Sequence, residues 1–172
     1  MNLEKSLLHE FLENSLYRMD ENTRMVGKCL QELSEDEMWI TPNAHSNSIA
    51  NLILHLCGNI TQYAISSLGQ KEDLRERDQE FAIKSGFNKA EVFHKLTETV
   101  NLAKSTIKNT PVEQFVRKRM VQGFSLSGIG IIVHVVEHYS YHTGQIAFWV
   151  KQLKNKDLGF YENIDLSVTN KE

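Results

Sequence analysis

Leu3, Leu7, Phe11, Leu12, Tyr17, Met25 and Leu30 recur among charged neighbours at helical intervals, and no proline or glycine interrupts them before Gly27. A stretch of this length in one rhythm commits the chain to a long amphipathic helix over residues 3–33, whose apolar stripe other helices must cover. SEDEMWITPNAHSN then breaks the rhythm with Pro42, and Asn47 or Ser48 can cap a second helix running to about Leu68, where Gly69 offers a stop. A third helix is predicted from Asn88 to about Lys108, with Val92, Phe93, Leu96, Val100, Ala103 and Ile107 spaced for burial and Pro111 just beyond. The fourth runs from about Leu126 to roughly Lys154. Between these, QKEDLRERDQEFAIKSGF has no sustained apolar stripe and reads as a surface loop, residues 111–127 fit no single pattern, and the tail packs through Phe160 and Tyr161. With no internal repeat and no βαβ rhythm, the expectation is an all-α four-helix bundle with long crossover connections, one domain over residues 1–172.

With 41% apolar residues the bundle can fill its core without disulfides or a structural metal. The net charge of -3 and the dispersed lysines and arginines give no footprint for a phosphate backbone, so no nucleic-acid partner is expected. MNLEKSLLHEF does not read as a secretory signal, and the longest nearly apolar run, Ile129 to Val136, is too short to cross a bilayer. A soluble, cytoplasmic protein without a membrane partner follows. Cys29 and Cys57 lack CxxC spacing and imply neither a disulfide framework nor a thiolate cluster.

Five of the seven histidines fall in two windows, HSNSIANLILHLCGN and HVVEHYSYHTGQI. At about 100° per residue, His138 lies about 40° and His142 about 80° round from His134, toward the apolar sector of the fourth helix. That ranks His138 and His142 above His134 and His138 as a converging pair. Imidazoles at i and i+4 share a helix face and can meet on one ion. His55, at the border of the apolar face of the second helix, supplies a third nitrogen if the second and fourth helices face each other, leaving room for water on a divalent metal. The same spacing also suits partly buried histidines in structural hydrogen bonds, or surface histidines. Cys57 lies far round the helix from His55 and reads as a small packing residue. His9, His45 and His94 have no matching partners.

SIANLILHLCGN, RERDQEF and VVEHYSYHTGQIAFWVKQL, in that order, resemble the DUF1572 branch of the DinB-like superfamily, and the likeness runs from the first helix to DLGFY. The resemblance implies a four-helix bundle with a metal on a histidine triad, which maps onto His55, His138 and His142. His134 is then a polar neighbour. Asn59, which repeats the direction of His55 one turn later, Glu137, Tyr141 and Gln145 are further pocket candidates; Glu137 lies about 100° round from His138, too far to share its ion easily. RERDQEF reads either as a solvated, salt-bridged turn or as a loop positioned over a pocket mouth.

Three imidazoles with no carboxylate suit zinc or nickel better than iron or manganese. Relatives of this kind include transferases and isomerases that use low-molecular-weight thiols, and a proposed hydrolase group. Three functions are therefore carried forward. The first is metal-dependent transfer of a thiol cosubstrate to a small electrophile, the second is metal-dependent hydrolysis of a small amide or ester, and the third is noncatalytic binding of a metal or small ligand. Val133, Val136 and Ala147, opposite much of the core face, lead to the expectation of a homodimer.

Overall fold

In a computed structural model that describes residues 3–170, six helices and one hairpin follow in the order α1 (Leu3–Glu32), α2 (Ile49–Ile60), α3 (Arg77–Ala82), α4 (Lys89–Lys108), α5 (Val112–Val116), β1 (Lys118–Val121), β2 (Phe124–Ser127) and α6 (Gly128–Lys154). The helix starts are fixed by side chains that accept the otherwise unpaired first amides. The Ser48 hydroxyl accepts from Asn51 N, Ser127 accepts from Gly130 N, and Asn88 with Glu91 forms a reciprocal capping box. Asn155, in the left-handed region at φ 49°, ends α6.

Without a break, α2 widens into a π-helix over Thr61–Leu68, whose five-residue hydrogen bonds include Lys71 N to Ser66 O at 2.8 Å. The long helices pack pairwise as α1 with α6 and α4, and α2 with α4 and α6. Helices α1 and α2 thus occupy opposite corners, as do α4 and α6, and the connections 33–48 and 109–127 cross the bundle. Met19, Ile53, Leu56, Ile60, Leu96, Ile107, Ile131, Val135 and Tyr139 are fully buried at its centre. Leu158, more than the partly exposed Phe160 and Tyr161, anchors the tail. Lys28 Nζ and Arg24 Nη1 fasten the tail's backbone by donating to Gly159 O and Phe160 O.

Two connections hold more structure than their sequences suggest. Residues 111–127 form α5 and the antiparallel hairpin β1–β2, turned by Gln122 and Gly123 at φ 48° and 81°. Both turn residues have positive φ, the two-residue geometry that matches strand twist, and glycine takes the second without strain. The charged stretch expected to be a surface loop contains α3, and it folds inward onto α2. Asn51 Nδ2 staples it by donating to Glu80 O at 2.9 Å and Ile83 O at 2.8 Å.

Candidate metal centre

Because α2 and α6 are neighbours, His55 on one faces His138 and His142 on the other. One ring nitrogen from each of the three lies within 4.8 Å of the others. His55 and His142 are buried and His138 is half-buried. His55 Nε2 and His138 Nε2 are 2.9 Å apart.

The outward nitrogen of His55 is held by the RERDQEF segment. His55 Nδ1 lies 2.9 Å from Glu80 Oε2 and 3.1 Å from Arg75 Nη2. A carboxylate only accepts, and two lone pairs facing at 2.9 Å would repel, so Nδ1 carries the proton and donates it to Glu80. Nε2 is left with its lone pair toward the other imidazoles. Glu80 is itself gripped on two sides, Oε1 by Arg75 Nε at 2.7 Å and Oε2 by Arg75 Nη2 at 2.8 Å, while Arg75 Nη1 donates to Gln62 Oε1. The two side chains are 3% and 11% exposed, so this is a buried bidentate pair. Burial alone would raise the Glu80 carboxyl, but its bonds to Arg75 and His55 outweigh that and hold it below its ordinary value. Gly58 makes the close approach feasible, since a Cβ there would come 1.8 Å from Glu80 Oε1. The Phe81 ring covers His55 at 4.8 Å.

His142 is oriented by a different device. Its Nδ1 lies 2.7 Å from Gln145 Oε1, an acceptor one turn along α6, so its proton also points outward and Nε2 is free. Burial lowers the pKa of His142, partly opposed by the Gln145 bond, and burial together with the neighbouring imidazoles pushes His138 down to about 3. The arrangement suits ligation: burial favours the neutral forms of His138 and His142, acceptors behind His55 and His142 set their tautomers, and the cluster is small enough for one ion.

The remaining candidates surround this cluster. His134 is outside it. Its ring stacks on Tyr63 at 4.0 Å, Asn59 Nδ2 lies 3.3 Å from its Nε2, and burial lowers its pKa. Asn59 is buried and its Oδ1 has no hydrogen-bond partner among the described residues. Tyr63 owes its position to the π-helix and to the hairpin, because its hydroxyl donates to Gln122 Oε1 at 3.0 Å. Glu137 and Tyr141 are exposed and, with His134 and His138, line a cleft of about 260 Å³ that reaches the cluster. Cys57 is buried away from the histidines, and burial pushes its thiol up to about 12, which makes it a packing residue rather than a nucleophile.

Arg75 and Glu80 are the functional residues that helical spacing could not supply. RERDQEF is salt-bridged, as one reading of it holds, but turned inward onto a histidine; Phe81, apolar within a charged run, is the sequence's one local sign of that.

Similar folds occur among solved structures. A DinB-like protein, YjoA, from Bacillus subtilis superposes with a TM-score of 0.66 at 15% identity, covering 86% of this chain and 96% of that one. A conserved protein from Enterococcus faecalis gives 0.64 at 17%, covering 91% and 99%. A histidine-to-alanine mutant of the mycothiol-dependent maleylpyruvate isomerase gives 0.64 at 14%, covering 78% of this chain and 60% of that one. No curated protein matches the sequence significantly. The model of a family of unknown function, DUF1572, matches residues 6–167, and the chain belongs to that family.

Proposed function

We propose that this protein is a metal-dependent enzyme in which His55, His138 and His142 hold one divalent ion, zinc or nickel, for transfer of a small thiol to an electrophilic substrate. The observation that carries the reading is the pair of outward Nδ1 protons, one on Glu80 and one on Gln145, which leaves two Nε2 lone pairs converging beside His138. A divalent ion bound there stabilises the thiolate form of a coordinated thiol. The protein favours the neutral forms of His138 and His142, orients His55 and His142 through their Nδ1 partners, and offers a small cleft through which a substrate reaches His138.

Thiol use is favoured over hydrolysis because the carboxylate beside the cluster, Glu80, is already committed and Glu137 lies outside the three-histidine group. Glu80 already accepts from Arg75 and His55, and Glu137 is exposed on the cleft wall. The likeness to a mycothiol-dependent isomerase is a second support. Access to the cluster through the cleft argues against a purely structural or storage role. Two free buried cysteines suit a reducing cytoplasm.

The test is spectroscopic. Cobalt-substituted protein titrated with glutathione, bacillithiol and mycothiol is expected to develop a sulfur-to-metal charge-transfer band with at least one of them. No band with any of the three at full cobalt occupancy would overturn thiol ligation. We further propose that the chain forms a homodimer through an apolar groove between α1 and α6, lined by Phe11, Val133 and Val136, where Val133 is 49% exposed. Light scattering at twice 19.8 kDa supports this, and a single-chain mass at all concentrations refutes it.

A further inference from the structure

A cavity of about 460 Å³ lies behind the Glu80–Arg75 pair, lined by both of these residues but by none of the three histidines. His55 Nε2 faces the other imidazoles while its Nδ1 faces Glu80, so this space backs onto the metal cluster without opening into it. Its walls come from α2 and its π-helical extension, the 70–76 segment, α3, the 83–87 connection and α4, with Leu54, Ile65, Leu74, Ile83 and Phe87 supplying apolar surface beside the buried Cys57. Volume and lining match those of small-molecule sites, which are mostly apolar with a few placed polar groups.

The charges around it are unequally committed. Arg75 and Glu80 satisfy each other, with His55 and Gln62 completing their bonds. Lys71, Glu72 and Glu76 lie on the exposed segment across the mouth, where opposite charges offset and water screens them. Lys95, on α4, also lines the cavity, and its ammonium has no hydrogen-bond or ion-pair partner among the described residues. A cation facing an apolar chamber, with Arg75 and Glu80 already paired, selects a ligand with one negative group and a hydrocarbon body.

We propose that this cavity binds a small apolar monocarboxylate, its carboxylate toward Lys95 and its hydrocarbon portion against Leu54, Ile83 and Phe87. The site is independent of the thiol-transfer reading, and its occupant would touch the pair that holds His55.

Calorimetry on the full chain after chelator treatment tests this without competition from a carboxylate binding directly to metal. Octanoate, octanol and octylamine serve as probes of equal chain length. Octanoate is expected to bind at least about tenfold more tightly than octanol, with octylamine weakest, the difference expected of one charge-assisted bond. Lys95→Met should erase the preference for octanoate and leave octanol unchanged, because Lys95 is exposed and its loss does not disturb the core. Ile83→Trp should fill the chamber and weaken octanoate and octanol alike. The proposal is overturned if no probe binds, if octanoate and octanol bind equally, if the preference survives Lys95→Met, or if Ile83→Trp leaves binding intact.

Discussion

His55 and His142 both turn a proton outward and a lone pair inward, but their outward partners differ in charge, burial and origin. Glu80 is an 11%-exposed carboxylate brought in by a distant segment and locked by Arg75, whereas Gln145 is an exposed amide one turn away on the same helix. A buried carboxylate raises imidazole basicity as well as fixing the tautomer; a neutral amide mainly orients the ring. The α2 side of the centre is therefore the rigid, charged side and the α6 side the adjustable one. His138 belongs to the latter, since its Nδ1 makes no hydrogen bond among the described residues.

The largest effect should come from breaking the rigid side. Glu80→Ala strands a guanidinium whose side chain is 3% exposed, and a loss of about 3–5 kcal/mol is expected for a buried pair cut on one side. Urea denaturation of metal-free protein measures it; a loss below about 1 kcal/mol would mean that the pair anchors nothing.

Glycine substitutions probe the same contrast more gently. Gly58→Ala puts a Cβ 1.8 Å from Glu80 Oε1 and 2.9 Å from Arg75 Nε, and overpacking of this kind should cost about 1–3 kcal/mol. Gly144→Ala on α6 meets nothing within 4 Å and should instead stabilise by up to about 1 kcal/mol through helix propensity. Thermal melts that moved in the same direction for both would contradict the division into rigid and adjustable sides.

Metal affinity should rank the two outward partners directly. Glu80→Gln should weaken zinc binding by about 10–100-fold, and Gln145→Ala by less than about tenfold. Competition with a chromophoric chelator gives both numbers, and equal losses would show that charge behind the ligand is irrelevant.

The smallest and most graded effect is that of pH on the metal-free protein. His138 and His142 have folded pKa values below 6.5, so the unfolded chain takes up protons first. Their contribution to stability is present above about pH 6.5 and declines as pH falls toward about 3 for His138. Glu80 is lowered from 4.5, so its contribution is present above that value and is lost only at more acid pH. Stability measured against pH should therefore fall in two stages, and Glu80→Gln should remove the second.

What can be read from sequence follows the same division. The helical wheel favours His138 with His142 over His134, and the structure puts His134 against Tyr63 and Asn59 instead. Ser48 is one of two possible caps, and the stripe from Val92 to Ile107 is buried as its spacing requires, save for the half-buried Phe93. These features are local, set within a few turns of one helix. Arg75 and Glu80 reach His55 across 20 and 25 residues through a connection with no periodicity of its own, so spacing could not register them. The hairpin is hidden for a related reason: Gln122–Gly123 lacks the Asn-Gly or Asp-Gly signature of its turn.

The diagonal connections also set an order in time. His55 and His138 are 83 residues apart, and no α1–α2 or α4–α6 hairpin brings their helices together early. Closing so long a loop costs entropy before any ligand contact is gained, and an ion needs all three imidazoles assembled at once. A bound metal then works as a late clasp, fastening the last long helix of the chain to the second. Stopped-flow kinetics in urea should show zinc slowing the unfolding limb while leaving the refolding limb nearly unchanged, the pattern of contacts absent from the transition state. Zinc that accelerated refolding instead would mean that the histidines meet while the bundle is still forming.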